Sequence, residues 1–231
     1  MNNRLNNIIK GDFKNFDRWI EVLNRQRNSL FDMENQSEEE LTNLTYETSG
    51  ILGEIADLAI EYGNFKDDFD TSKMYVNLYG PSLIIESKKT GGTYYLATDL
   101  EGIYLTTSFL HADNLKNMSD SFWLELFKLK KFSGFEYEEN SFFSIDVQRK
   151  YPELFHTYKD TLFLMFRKFF LSHTEKHNDI DIGNFKVKWK PDEDFSKMIS
   201  EICLAFKSMY KMDYQLWKIT DLRMKKNDTR K

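Results

Sequence analysis

The sequence predicts an α+β fold, with an N-terminal helical hairpin and later helices packed on one face of a small antiparallel sheet. Three observations carry this expectation. Apolar residues recur at helical spacing through residues 12–34 and again after Ser37. Four short apolar-alternating runs then follow between residues 74 and 110, broken by Gly80-Pro81, Thr90-Gly91-Gly92 and Asp99–Gly102. Turns this short leave no room for crossovers, so these strands must pair antiparallel. Beyond residue 119 the periodicity returns to helical, and the whole of 1–231 reads as one continuous domain.

In the first helix, over 12–34 with Asp12 as its cap, Phe13, Phe16, Ile20, Leu23, Leu30 and Phe31 form the apolar stripe. Ser37-Glu38-Glu39-Glu40 is a capping-box sequence, in which Glu40 reaches back to the backbone of Ser37. The helix it opens carries Leu44, Thr48, Ile51, Leu52, Ile55, Leu58 and Ala59 on one face, with Gly63 expected as its stop. The short connection predicts an antiparallel hairpin over 1–63. Polar 64–72 reads as a loop. Strands follow at about 74–79, 82–88, 93–98 and 103–110, the last with Ile103, Leu105, Thr107 and Phe109 on one face. The remainder, 119–226, is mainly helical: a helix over 119–132, a strand or hairpin after Phe135, a buried helix from Pro152 to about His173, and a long helix after Pro191 that frays from Arg223. Phe185–Trp189 alternates with Lys186 and Lys188 and suits an edge strand.

Composition narrows the function. Net charge is −5, but residues 1–115 hold 10 Lys and Arg against 19 Asp and Glu, whereas 116–231 hold 22 against 18. An acidic first half disfavours nucleic acid, because phosphates need a cationic surface. The longest apolar run, Leu162–Phe166, is far below the roughly 20 residues a membrane-spanning helix needs, so no membrane partner is expected. Cys203 is the sole cysteine, which suits a reducing, cytoplasmic location and a small buried thiol. Twenty Phe, twelve Tyr and four Trp imply a core of large rings or a stacking surface. Abundant Lys over Arg, with many Asn, Ile and Tyr, points to an AT-rich genome, such as a low-GC bacterium or its phage.

One residue pattern has chemical content. In Leu83-Ile84-Ile85-Glu86-Ser87-Lys88, strand alternation puts Glu86 and Lys88 on one face. This resembles the E-x-K half of the PD-(D/E)xK nuclease motif, where the carboxylate binds Mg²⁺ and the lysine positions the attacking water. The resemblance implies an Asp on the neighbouring strand. The strand expected there offers only Asn77, and the nearest acid is Asp70 in the preceding loop. His173 and His177 stand four apart, as two metal ligands on one helical face would. His111 and His156 have no Ser/Asp or Cys pattern beside them, and no cofactor is expected. Two acidic clusters remain, Glu38-Glu39 and the loop Asp67-Asp68-Asp70. A helix of roughly 25 residues separates them by about 37 Å, so they are separate candidates for docking a basic protein partner. The leading reading is a non-catalytic protein-binding module, such as an immunity-type or anti-defence inhibitor. The alternatives are a subunit of a larger assembly and a Mg²⁺-dependent nuclease using Glu86, Lys88 and Asp70.

Overall fold

The computed structural model describes residues 6, 16–32, 36–77, 79–138, 145–150, 152, 160–175, 180, 182–190 and 194–228. Helices α1 (Phe16–Ser29) and α2 (Glu38–Gly63) precede strands β1 (Phe69–Asn77), β2 (Gly80–Ser87), β3 (Thr93–Asp99) and β4 (Gly102–Ser108). A 3₁₀ turn (Ala112–Asn117), α3 (Asp120–Leu129), β5 (Phe135–Glu138), α4 (Ile145–Lys150), α5 (Thr161–Thr174), β6 (Asn184–Trp189) and α6 (Phe195–Asp228) complete the chain. All pairings in the sheet are antiparallel, and its order is β1-β2-β3-β4-β6-β5. The fold is α+β, as the pattern predicts.

The helical hairpin forms for the reasons its sequence gives. Both hydrogen bonds of the Ser37/Glu40 capping box are present. Trp19 Nε1 donates to Glu54 at 3.0 Å and Arg25 pairs with Glu47 at 3.3 Å, so later residues of α1 meet earlier residues of α2 and the helices run antiparallel. The stop of α2 differs from expectation. Asn64, not Gly63, takes the left-handed conformation (φ 49°), where its short polar side chain is tolerated. Gly63 instead makes room, because a Cβ there would collide with the Phe65 ring. The Asp12 cap lies outside the described residues.

Alternation in the strands separates two faces. Leu83, Ile85, Tyr94, Leu96, Ile103, Leu105, Phe185, Val187 and Trp189 are buried against α2 and α6, in one core cluster with Ile51, Leu52, Ile55, Ile202 and Phe206. Burying one Leu or Phe side chain in such a core contributes roughly 1.5–3 kcal/mol. The expected inner face of β4 is confirmed, since Ile103, Leu105 and Phe109 are all buried and Thr107 points the same way.

Several expectations are corrected. The stretch Phe69–Ser72 is strand, not loop, because β1 pairs with β2 from Phe69 opposite Ser87. Phe185–Trp189 is not an edge: β6 is sandwiched between β4 and β5, and the short β5 is the edge. Its lysines alternate because they lie on the open face. The single helix expected from Pro152 to about His173 is not continuous: Pro152 is helical, but Asp160 is not and caps a helix that opens at Thr161, its carboxylate accepting from Leu162 N; residues 153–159 lie outside the described set. In that helix Met165 and Phe169 are buried, but Leu162 and Phe166 are only partly so. The basic tail continues as helix to Asp228.

Candidate functional site

The outer face of the sheet, opposite the helices, carries most of the expected chemistry. Cross-strand partners share a face, so its rows follow from the register. One row runs Asp70, Glu86, Thr93, Ser108, Asn184; the next runs Lys73, Ile84, Tyr95, Thr106, Lys186; the third runs Tyr75, Ser82, Ala97, Tyr104, Lys188. Tyr75 and Tyr95 meet edge-to-face at 6.4 Å, and Lys186 Nζ stands 4.2 Å from the centre of the Tyr104 ring. The three tyrosines thus form an aromatic band across four strands. At the free edge β1 meets solvent on both faces, with Tyr75 of the band 45% exposed and Val76 on the opposite face 56% exposed.

Because β1 begins at Phe69, Asp70 is a direct cross-strand neighbour of Glu86. The missing acid of the E-x-K pattern is therefore on the adjacent strand after all, and Asp70, Glu86 and Lys88 come together. Both carboxylates are occupied, however. Lys73 donates to Glu86 at 2.5 Å, and Lys88 to Asp70 at 2.9 Å. Hydrogen bonding and charge from Lys73 hold Glu86 below the usual carboxylate range, and Lys73 is raised in return. Asp70 is lowered first by the Ser72 hydroxyl, at 2.6 Å, and then by Lys88. At the far side of the face, Lys186 pairs with Glu138, and Lys188 with Glu101 and Glu136. Burial would lower Lys188, but those two carboxylates outweigh it and raise its pKa. Burial and nearby Tyr75 push the Tyr104 phenol up to about 12. Among the described residues no three His, Cys, Asp or Glu side chains converge as metal ligands.

The acidic loop does not survive as one patch. Asp67 is turned inward: its carboxylate accepts from Ser87 Oγ at 2.5 Å, Tyr210 OH at 2.8 Å and Lys89 N at 3.0 Å. Asp70 belongs to the sheet face, and Asp68 alone of the three is exposed. Glu38 and Glu39 are exposed in the first turn of α2, whose 26 residues put them about 39 Å from the loop. They are placed to favour the positive end of the helix dipole. His173 is exposed at the end of α5, against the Phe169 ring; His177 and His156 lie outside the described residues.

A polar cluster that the sequence did not announce lies under the inner face. Asp213, 1% exposed, accepts from Thr90 Oγ1 at 2.5 Å and from Tyr94 OH at 3.1 Å. Desolvation raises its pKa; the hydroxyls of Thr90 and Tyr94 and the charge of His111 act in the opposite direction, and Asp67 adds to the rise. Asp213 lies between Met209 and Leu216 on the apolar face of α6, and an acid in that stripe is the signal that could have revealed it.

Comparison with protein-family models, with curated proteins and with solved structures finds no match to this chain. Among the described residues no helix is long and apolar enough to cross a membrane.

Proposed function

We propose that this chain is a non-catalytic protein-binding module that docks its partner on the open sheet face at the β1 side. One observation carries the reading: the face presents Tyr75, Tyr95 and Tyr104 beside Ile84, while Lys73, Lys88, Lys186 and Lys188 are each already paired with a carboxylate. Rigid amphipathic rings with internally neutralised charge suit a protein interface, where tyrosine is enriched and unpaired charge is costly. The same neutralisation disfavours phosphate-bearing partners, which need free cations. Of the two acidic clusters, Asp68 is the exposed acid nearest the β1 edge and Glu38 and Glu39 are exposed at the far end of α2, so a basic partner would be steered by Asp68 and held by the aromatic band. An inhibitor of the immunity or anti-defence type, working in a reducing cytoplasm that suits the buried thiol of Cys203, would use such a face to cover its target.

The test compares proteins retained from a native-host lysate by the wild type, by Tyr95→Ser and by Tyr46→Ser. Tyr46 is 67% exposed on α2 and serves as the control. A partner lost with Tyr95→Ser and kept with Tyr46→Ser supports the reading; equal retention by both variants contradicts it. The register of Asp70 against Glu86, with Lys88 on the same face, favours a second reading as a Mg²⁺-dependent nuclease. Under that reading Asp70 and Glu86 would hold Mg²⁺ in place of their present lysine partners, Lys88 and Lys73. Mg²⁺-dependent cleavage of DNA or RNA, abolished by Glu86→Ala, would establish it in place of the binding module; no cleavage is expected.

A further inference from the structure

The cluster around Asp213 has one more oxygen–oxygen contact than it has hydroxyl protons. Its hydroxyl and carboxyl oxygens make five contacts: Tyr210 to Asp67, Ser87 to Asp67, Thr90 to Ser87, Thr90 to Asp213 and Tyr94 to Asp213. Four hydroxyl groups, those of Ser87, Thr90, Tyr94 and Tyr210, supply four protons. With both carboxylates ionised, one of the five contacts has no proton between its oxygens. Thr90 cannot donate to Ser87 at 2.9 Å and to Asp213 at 2.5 Å at once. One extra proton completes the set.

The environment says where that proton resides. Asp67 Oδ1 accepts the backbone N–H of Lys89, and Asp67 is partly exposed, so its negative charge is supported. Asp213 is fully enclosed, and its Oδ1 has no hydrogen-bond partner among the described residues. A buried carboxylate with a bare oxygen costs far more when ionised than when neutral. With the proton on Asp213 Oδ2, Thr90 Oγ1 accepts from Asp213 and from Gly92 N and donates to Ser87 Oγ. Ser87 Oγ accepts from Thr90 N and Thr90 Oγ1 and donates to Asp67. The Ser87 and Thr90 hydroxyls then each have their donor and both acceptor positions used.

We infer that Asp67 and Asp213 hold one proton between them at neutral pH, seated on Asp213 and relayed through Thr90 and Ser87, and that it closes a clasp between the β2–β3 turn, the loop before β1 and α6. The titratable groups facing Asp213 are Tyr94 from β3, Asp67 from the loop, Tyr210 from α6 and His111 from the segment after β4. His111 lies against Thr90 O at 3.4 Å and Thr220 Oγ1 at 3.3 Å. Lys89 is the ammonium of the turn; it contacts the backbone oxygen of Lys66 and stands 6.0 Å over the Tyr214 ring. With that proton lost, Thr90 donates to the ionised Asp213; the Thr90–Ser87 contact is then left without a proton, which loosens the turn carrying Lys88 and Lys89.

The sign of the pH dependence follows. An aspartate protonated in the fold but ionised in the unfolded chain takes up a proton on folding. Its stabilisation is complete below the unfolded pKa near 4 and is lost as pH rises towards the folded pKa. Asp213→Asn keeps a donor towards Thr90 and does not titrate. The folding equilibrium constant of the wild type, divided by that of Asp213→Asn, should therefore fall about tenfold per pH unit, or about 100-fold between pH 5 and pH 7. A ratio that stays flat over that range overturns the inference. A second measurement needs no variant to fold: infrared spectroscopy of the intact wild type at pH 7 should show the carbonyl band of a neutral carboxylic acid. A spectrum with carboxylate bands alone overturns the inference equally.

Discussion

Two glycine-to-alanine substitutions should change stability in opposite directions, for reasons read directly from the packing. Gly92 follows the β2–β3 turn with an ordinary backbone conformation, so alanine is not excluded by φ. Space excludes it. A Cβ built there lands on Asp213 Oδ2, 2.9 Å from Asp213 Cγ and 3.0 Å from Thr90 Oγ1. The carboxyl group cannot swing into solvent, because Asp213 is enclosed on every side. Overpacking of this kind costs about 1–3 kcal/mol, and the buried hydroxyl of Thr90 or Tyr94 that loses its partner adds about 1–3 kcal/mol. Gly92→Ala should therefore destabilise by about 3 kcal/mol. Gly50 lies in the interior of α2 on its exposed side, with no heavy atom within 4 Å of its built Cβ. Alanine there removes the entropic penalty of a helical glycine and should stabilise by about 0.5–1 kcal/mol. Urea unfolding followed by circular dichroism measures both, provided the slope m is unchanged. A Gly92→Ala variant within 0.5 kcal/mol of wild type, or a destabilised Gly50→Ala, would refute the reasoning.

Further outcomes follow from burial and bonding. Phe169→Ala should cost about 3–5 kcal/mol as a cavity-forming change, and Phe166→Ala clearly less because its ring is only partly covered; equal losses in urea unfolding would contradict the described packing of α5. Asp67→Ala should cost about 1–3 kcal/mol by orphaning the Tyr210 and Ser87 hydroxyls, whereas Asp68→Lys should stay within about 0.5 kcal/mol and slow association with a basic partner. Burial pushes the Cys203 thiol up to about 12, so a thiol reagent at pH 8 should label it only at the rate of unfolding; rapid labelling of the native protein would contradict its place in the core.

Much of the scaffold was legible because its signals are local. The capping box at Ser37 and Glu40 needs only a four-residue window, and the turns at Gly80, Gly91 and Gly102 use glycines in conformations that side chains avoid. The strand at Phe69–Ser72 was not legible, since an edge strand open to solvent can be built from Asp, Thr and Ser as readily as a loop. The interior position of β6 was hidden by Lys186 and Lys188, whose ion pairs with Glu138, Glu101 and Glu136 are set by pairing across distant parts of the chain. The same holds for the site. Glu86 and Lys88 were visible as a pattern, but their occupation by Lys73 and Asp70 depends on where β1 begins. The clasp joins residues 67, 87, 90, 94, 210 and 213, which no sequence window contains.

Docking of a protein partner on the aromatic band of the open sheet face remains the proposal to be tested. Its most direct measurement is the equilibrium affinity of the purified partner for wild type, Tyr75→Ser, Tyr95→Ser and Tyr46→Ser by calorimetry. A tyrosine at the centre of an interface contributes about 2 kcal/mol or more, which is roughly 30-fold in Kd. A loss of that order is expected for Tyr95→Ser, a smaller one for Tyr75→Ser at the edge, and none for Tyr46→Ser. Undiminished affinity in both sheet-face variants would contradict it.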